Sequence, residues 1–384
     1  MKKIVCILIS ILVLLSGCTT GPDNTVDTDT TKISGVWIYY SELSMLNEKN
    51  KNQKTFTAKI EKIFDNCVEW GINTVFLQVR PFSDSFYKSE IFPWSYYLTG
   101  QQGKRVDYDP LEICIKLAHE RNLSLHAWVN PFRIAFDDDI TLLSKNHPAM
   151  EWIKGKTDDI VFVNDGIFYS PASMNAQKLV IDGVREIVRN YDVDGIHIDD
   201  YFYPSVDTKV DAGYYKQYTE AGGKLKLNDW RLNTVSALVS QMYSAVKSEN
   251  SNCIFSISPA GNIQNNYEQQ FADVKLWCST RGYADWIIPQ LYYGFENETL
   301  PFDKALVHWE KLNTIGAVKM IYGIAAYKVN DSDEEWKSGR GIIDKQLSFV
   351  KEKSDSYGVA YFSYSSLCDK KRQPEFKNIT SVFS

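Results

Sequence analysis

The run Val193-Asp194-Gly195-Ile196-His197-Ile198-Asp199-Asp200-Tyr201 alternates isoleucines with ionisable side chains. Extended backbone has a period of two, so His197 and Asp199 share one face and Ile196 and Ile198 the other. If the isoleucines pack outward against helices, Asp199 points inward at the carboxyl end of its strand. A carboxylate there is costly unless it is paired or used. Paired with Arg80 or His197 it would merely brace the fold. Used, it suits glycoside hydrolysis, which commonly needs one protonated carboxyl to assist the leaving oxygen and one ionised carboxylate to attack or to activate water. Neighbouring strand residues face opposite sides, so Asp200 joins Asp199 only if the pleat ends between them. Glu42, Asp84, Glu296 and Asp331 are the other acids expected near strand ends, and each serves equally well as a solvated loop charge or a helix cap.

Uncharged groups at the same ends are suited to holding a sugar. Asn130 and Gln290 carry amides that match hydroxyl and acetamido groups. Arg80 can grip a carboxylate such as a lactyl group through two N–H bonds, or orient a catalytic aspartate. Trp128, Tyr201 and Tyr292 belong to the same strand-end clusters. Trp94, Tyr96, Tyr97, Phe132, Arg133, Tyr203 and Tyr214 fall in the long loops after the second, third and fourth strands, as walls for a cleft. The chain has 23 Tyr and 10 Trp, more than a core requires, and such rings suit surfaces that are apolar on one side and wet on the other.

Eight short β-rich runs alternate with amphipathic stretches and position these residues. They are 35–40, 73–81, 124–131, 195–201, 254–259, 286–293, 320–327 and 359–364. Helical spacing of apolar residues covers 56–70, 110–121, 176–191, 232–248, 302–312 and 344–353. This order predicts a parallel sheet, and eight repeats in one domain of residues 33–384 predict a closed (β/α)8 TIM barrel, whose active sites form at the carboxyl ends of the strands. An open doubly wound sheet would call for a glycine-rich phosphate turn after an early strand, and none is present.

The motifs resemble one known family. Gly35-Val36-Trp37, Gln78-Val79-Arg80-Pro81 with Asp84, His126-Ala127-Trp128-Val129-Asn130-Pro131, Asp194 through Pro204, and Pro289-Gln290-Leu291-Tyr292 are similar, in order, to those of the glycosyl hydrolase-like family ten. The resemblance spans roughly residues 33 to 367. It implies a TIM-barrel glycosidase, often an envelope lipoprotein, with some members acting on peptide-stripped peptidoglycan. Carried over residue by residue it implies Asp199 and Asp200 after the fourth strand, with Arg80, Asp84, Asn130, Gln290 and Tyr292 around the site. The fourth strand also resembles that of α-amylase-like barrels, where an acid at the Asp199 position is the nucleophile; the arginine usual two residues earlier is His197 here. A tryptophan usually follows the family's strand-six tyrosine, and Tyr293 stands in its place.

Lys2 and Lys3 precede an apolar run from Ile4 to Leu15, the pattern of a cleavable leader. Leu15-Ser16-Gly17-Cys18 resembles a lipobox, which implies cleavage after residue 17, lipidation of Cys18 and anchoring to the bacterial membrane from outside the cytoplasm. The Thr- and Asp-rich stretch to Thr31 lacks the apolar groups to fold, so residues 18–32 are expected to act as a tether. A net charge of −6 with signs interspersed gives no footprint for nucleic acid. Cys67, Cys114, Cys253, Cys278 and Cys368 lie in apolar segments without paired spacing and are expected as buried thiols. Five scattered histidines and no CxxC leave no expected metal site or cofactor, and no oligomeric state is legible. A non-catalytic glycan-binding lipoprotein using the same cleft is the competing expectation.

Overall fold

The computed structural model describes residues 32–337 and 340–376. The expected leader, Cys18 and nearly all of the tether lie outside the described residues. Among the described residues eleven strands form two sheets: β1 Ile33–Ile38, β2 Thr74–Arg80, β3 Ser124–Val129, β4 Arg133–Ala135, β5 Ile160–Val163, β6 Gly166–Tyr169, β7 Gly195–Ile198, β8 Ile254–Ile257, β9 Trp286–Ile287, β10 Lys319–Ile324 and β11 Gly358–Tyr361. Eight of them close a parallel barrel in the order β1-β11-β10-β9-β8-β7-β3-β2, which is the TIM barrel the alternation predicts. The predicted strands overrun the observed carboxyl ends by one to six residues, because the functional clusters that follow each strand have left the ladder. The other three strands, β4-β6-β5, form an antiparallel sheet within the segment between β3 and β7, an excursion the periodicity did not reveal.

The helices form where caps and apolar stripes coincide. Asn52 accepts from the Thr55 amide to start 53–69, whose Phe56, Ile60, Ile63, Phe64 and Cys67 are buried. Asp109 caps 110–119 with Pro110 at the first position. Ile196 and Ile198 of β7 belong to the outer core between strands and helices, with Val180, Val184 and Ile187 of the helix Met174–Asn190. Cys67, Cys114, Cys253 and Cys278 are buried free thiols, and Cys368 is half-buried.

The barrel interior is filled by large rings rather than small aliphatics: Trp37, Phe76, Trp128 and Trp286 pack with Ile33, Ile288, Ile321 and Ala360. His126 stacks on Trp286 at 4.8 Å, and burial drives its pKa down to about 3, so it is neutral. Gly195 makes room for this ring, since a Cβ there would lie 2.3 Å from His126 Nδ1. Gly195→Ala is therefore expected to destabilise the barrel by about 1–3 kcal/mol, the usual cost of overpacking, as read from a denaturant midpoint. A midpoint unchanged from the parent would show that the layer can give.

Candidate active site

Period two, counted along each strand, sends one series of side chains inward: Phe76 and Gln78 from β2, His126 and Trp128 from β3 with Asn130 beyond it, His197 from β7 with Asp199 beyond it, and Trp286 and Ile288 followed by Gln290. Each series ends at the carboxyl rim in a polar group. Gln78, Asn130 and Asp199 are joined at one level by hydrogen bonds, and Gln290 ends its own series at the same rim. Gln78 Nε2 donates to Asn130 Oδ1 at 2.5 Å, and Asn130 Nδ2 donates to Asp199 Oδ2 at 2.5 Å. Trp128 Nε1 donates to the same oxygen at 3.2 Å, and the Tyr201 amide reaches Oδ1 at 3.4 Å. Gln78 is itself oriented by the Tyr40 amide, which donates to its Oε1.

The β7 ladder stops at Ile198, so the pleat no longer separates Asp199 from Asp200. Gln290 Nε2 bridges from the Ser258 carbonyl at 3.1 Å to Asp200 Oδ1 at 3.2 Å. Both carboxyls therefore occupy the mouth, in different surroundings. Asp199 is 5% exposed. Burial raises its pKa, and Arg133, Asn130, the Tyr201 amide and Trp128 oppose that rise by stabilising the anion. Asp200 is half-buried, has Gln290 as its side-chain donor, and is pushed up to about 7 by desolvation and then by the neighbouring Asp199 charge. When two carboxyls share a site, the anion better stabilised by its neighbours ionises first, and four stabilising groups make that Asp199. Asp200 then keeps its proton into the neutral range.

Aromatic rings wall the mouth. Tyr40 packs on Phe82 and Tyr97 at centroid distances of 4.9 and 4.6 Å. Phe82 meets Phe136 edge-on at 4.9 Å. Phe362 is within 6.3 Å of the Tyr39, Tyr292 and Tyr327 ring centroids. Phe136 and Tyr201 are 59% and 55% exposed, large apolar faces left open beside the carboxyls.

Several predicted site residues lie elsewhere. Arg80 does not grip a ligand in the mouth. The register slips between Gln78 and Arg80, so that Arg80 aligns with Val129, whose side chain belongs to the outer core. The bulge turns the guanidinium outward, beneath Phe92 at 4.5 Å and in the field of Tyr87, Tyr169 and Glu186. His197 does not reach substrate either: it is fully buried, accepting from Trp37 Nε1 at 3.0 Å while its Nδ1 meets Ser256 Oγ at 2.9 Å, and burial holds it neutral. Asp84 is 1% exposed and accepts from the Tyr96 amide and Gln102, both within its own loop. Burial lifts it to about 6, and both of its hydrogen bonds stay within the segment 82–102 rather than reaching the Asp199 cluster.

Glu42 completes a capping box. It accepts from the amides of Tyr39 at 2.7 Å and Ser365 at 2.6 Å, and faces a side groove lined by Lys54, Lys59, Lys62 and Tyr364. Glu296 and Asp331 are exposed loop charges. Among the expected wall residues, Phe132 and Tyr203 are core, and Tyr214 is tied to Asp159. No group of three or more His, Cys, Asp or Glu side chains arranged to hold a metal occurs among the described residues.

Arg133, expected from sequence only as a wall of the cleft, is the largest of the influences that stabilise the Asp199 anion. Its position three residues after Asn130, in the same strand-end cluster, was the available signal. It opens β4, which pairs with β6, so the small antiparallel sheet holds it over the mouth.

Residues 32–338 match the family model described as Glycosyl hydrolase-like 10. The chain belongs to that family. It is 32% identical to Glycosyl hydrolase YngK of Bacillus subtilis (strain 168) over 366 residues, covering 88% of this chain and 69% of the relative. It is 28% identical to Glycosyl hydrolase DigH of Escherichia coli (strain K12), over 85% of this chain and 79% of that protein. Among solved structures, the PgaB (BpsB) glycoside hydrolase domain from Bordetella bronchiseptica superposes with a TM-score of 0.66 at 10% identity, covering 92% of this chain and 99% of that one. The catalytic domain of β-amylase from Paenibacillus polymyxa gives 0.60 at 11% identity, over 92% and 98%. At such identities these two likenesses speak for the barrel alone.

Proposed function

We propose that this protein is a glycoside hydrolase whose substrate is the peptide-free glycan of peptidoglycan, and that it works outside the cytoplasm, held to the membrane through a lipid on Cys18. Membership of the glycosyl hydrolase-like family supports the reaction class. The lipobox-like Leu15-Ser16-Gly17-Cys18 supports the placement, and the placement supports the polymer. The observation that carries the reading is the division of environments between Asp199 and Asp200 at the carboxyl rim.

In this mechanism Asp200 is the general acid. With a pKa near 7 it still carries its proton at neutral pH and gives it to the glycosidic oxygen as the bond to the anomeric carbon breaks. Asp199 stays ionised, faces the positive charge that develops on the sugar ring, and is held in place by Asn130 and Trp128; water then bonds to the anomeric carbon and gives its proton to the Asp200 carboxylate, which restores the acid. The rings of Phe136, Tyr201, Tyr292 and Phe362 supply faces on which sugar C–H groups stack and from which water is displaced.

The test is release of new reducing ends from peptide-free peptidoglycan, with chitin and α-glucans in parallel. The proposal expects release from the first and little from the α-glucans. Binding to the glycan with no new reducing ends would instead make the chain a glycan-binding lipoprotein.

A further inference from the structure

Resting on the glycosidase reading, we propose that Arg133 recognises a carboxylate on the substrate, so that the mouth selects a glycan whose sugars carry an acidic substituent over its neutral counterpart. The guanidinium is anchored on one edge only. Its Nε donates to the Pro81 carbonyl at 3.3 Å and one Nη2 hydrogen reaches Asn130 Oδ1 at 3.5 Å. Its plane is wedged among aromatic rings, with Cζ 4.4 Å from the Phe136 centroid, 4.9 Å from Phe82 and 5.4 Å from Tyr201. These contacts fix the fork without consuming Nη1 or the second hydrogen of Nη2. Those two nitrogens form the edge that pairs with a carboxylate through parallel N–H bonds.

The same guanidinium is a poor structural partner for the aspartates. It stabilises the Asp199 anion through space, yet no ion pair within 4.0 Å joins it to Asp199 or Asp200. An arginine placed only to neutralise Asp199 would close that distance, as Arg231 does with the buried Asp211 at 2.6 Å. The two rings that flank it, Phe136 and Tyr201, are also the most exposed of the mouth's aromatics for which a ring contact to Arg133 exists. A sugar stacked there presents its substituents to the free edge of the guanidinium. Arg133 is already held among these contacts before a ligand arrives, and such preorganisation lowers the entropy cost of binding.

The test compares kcat/KM on three substrates: peptide-free peptidoglycan glycan with its lactyl carboxylates intact, the same glycan with those carboxyls reduced to alcohols, and GlcNAc oligomers. The parent enzyme is expected to favour the intact glycan over the reduced one by about ten- to a hundredfold, the size of a hydrogen bond to a charged group. Arg133→Gln is expected to bring the two to within about threefold of each other, and Arg133→Lys to restore part of the gap, since lysine keeps the charge but not the fork. Equal rates of the parent on intact and reduced glycan would overturn the proposal. So would an Arg133→Gln loss of the same factor on all three substrates, accompanied by a shifted acid limb of the pH profile, because that is the mark of a residue acting only through Asp199. If the parent releases no reducing ends from any of the three, the glycosidase reading itself fails, and equilibrium binding of intact against reduced glycan to the parent and to Arg133→Gln then decides the carboxylate contact.

Discussion

Asp199→Asn is expected to lower the rate of reducing-end release by about a thousandfold or more while leaving the fold intact. The magnitude follows from removing the charge that faces the developing cation in a site sheltered from water. The intact fold follows from the local geometry. Asparagine is isosteric, its carbonyl can still accept from Asn130 or Trp128, and the variant no longer has to keep a buried anion. A thermal melt and an assay on peptide-free glycan check the two halves together. A variant that melts like the parent and retains activity within tenfold removes Asp199 from the chemistry. Loss is expected on every substrate, including aryl glycosides with good leaving groups, because the ring acquires positive charge whatever departs.

Asp200→Asn has a different expected signature, which separates the two roles. On the natural glycan the rate should fall by about 10²–10⁴, the usual contribution of a positioned acid. On an aryl glycoside, whose leaving group departs without a proton, the loss should be far smaller. For the parent, kcat/KM should decline as pH rises through about 7, where Asp200 gives up its proton.

The stability consequence has the opposite sign to that of a salt-bridged carboxylate. Asp200's folded pKa of about 7 lies above its ordinary value of 3.8, so between those values the folded state holds a proton that the unfolded chain has lost. Stability therefore falls as pH rises across that window, and ionisation of Asp200 works against the fold above it. Asp200→Asn should raise the melting temperature relative to the parent at pH 8 and do so much less at pH 4. A variant equally slow on both glycoside types, with no pH-dependent gain in melting temperature, would leave Asp200 as a mere neighbour of Asp199.

These expectations draw on two kinds of information. The alternation of Ile196 and Ile198 with His197 and Asp199 was legible because it is local: backbone geometry alone sets a period of two, and the isoleucines need an apolar face. The same argument located Asn130 and Gln290 at strand ends, where Asn130 contacts Asp199 and Gln290 contacts Asp200. It also placed His197 correctly on the inward face, but could not say how deep, and depth separates a ligand from a neutral ring bound by Trp37 and Ser256. Asp84 and Glu42 were equally legible as acids after strands. Whether such an acid faces a cleft or caps a backbone depends on where its loop returns, which spacing does not encode.

The sequence by itself determined eight βα repeats, the inward carboxylate on the fourth barrel strand and the aromatic wealth around it, because each follows from short-range pattern and composition. Tertiary structure decided the rest. A bulge set by pairing with β3 turned Arg80 away, and the end of the β7 ladder let Asp200 in beside Asp199. The pairing of β4 with β6 positioned Arg133 where its charge acts on Asp199. Register, ladder length and loop return are properties of contacts between segments far apart in the chain. The charge balance on which the proposed chemistry turns is set by those contacts.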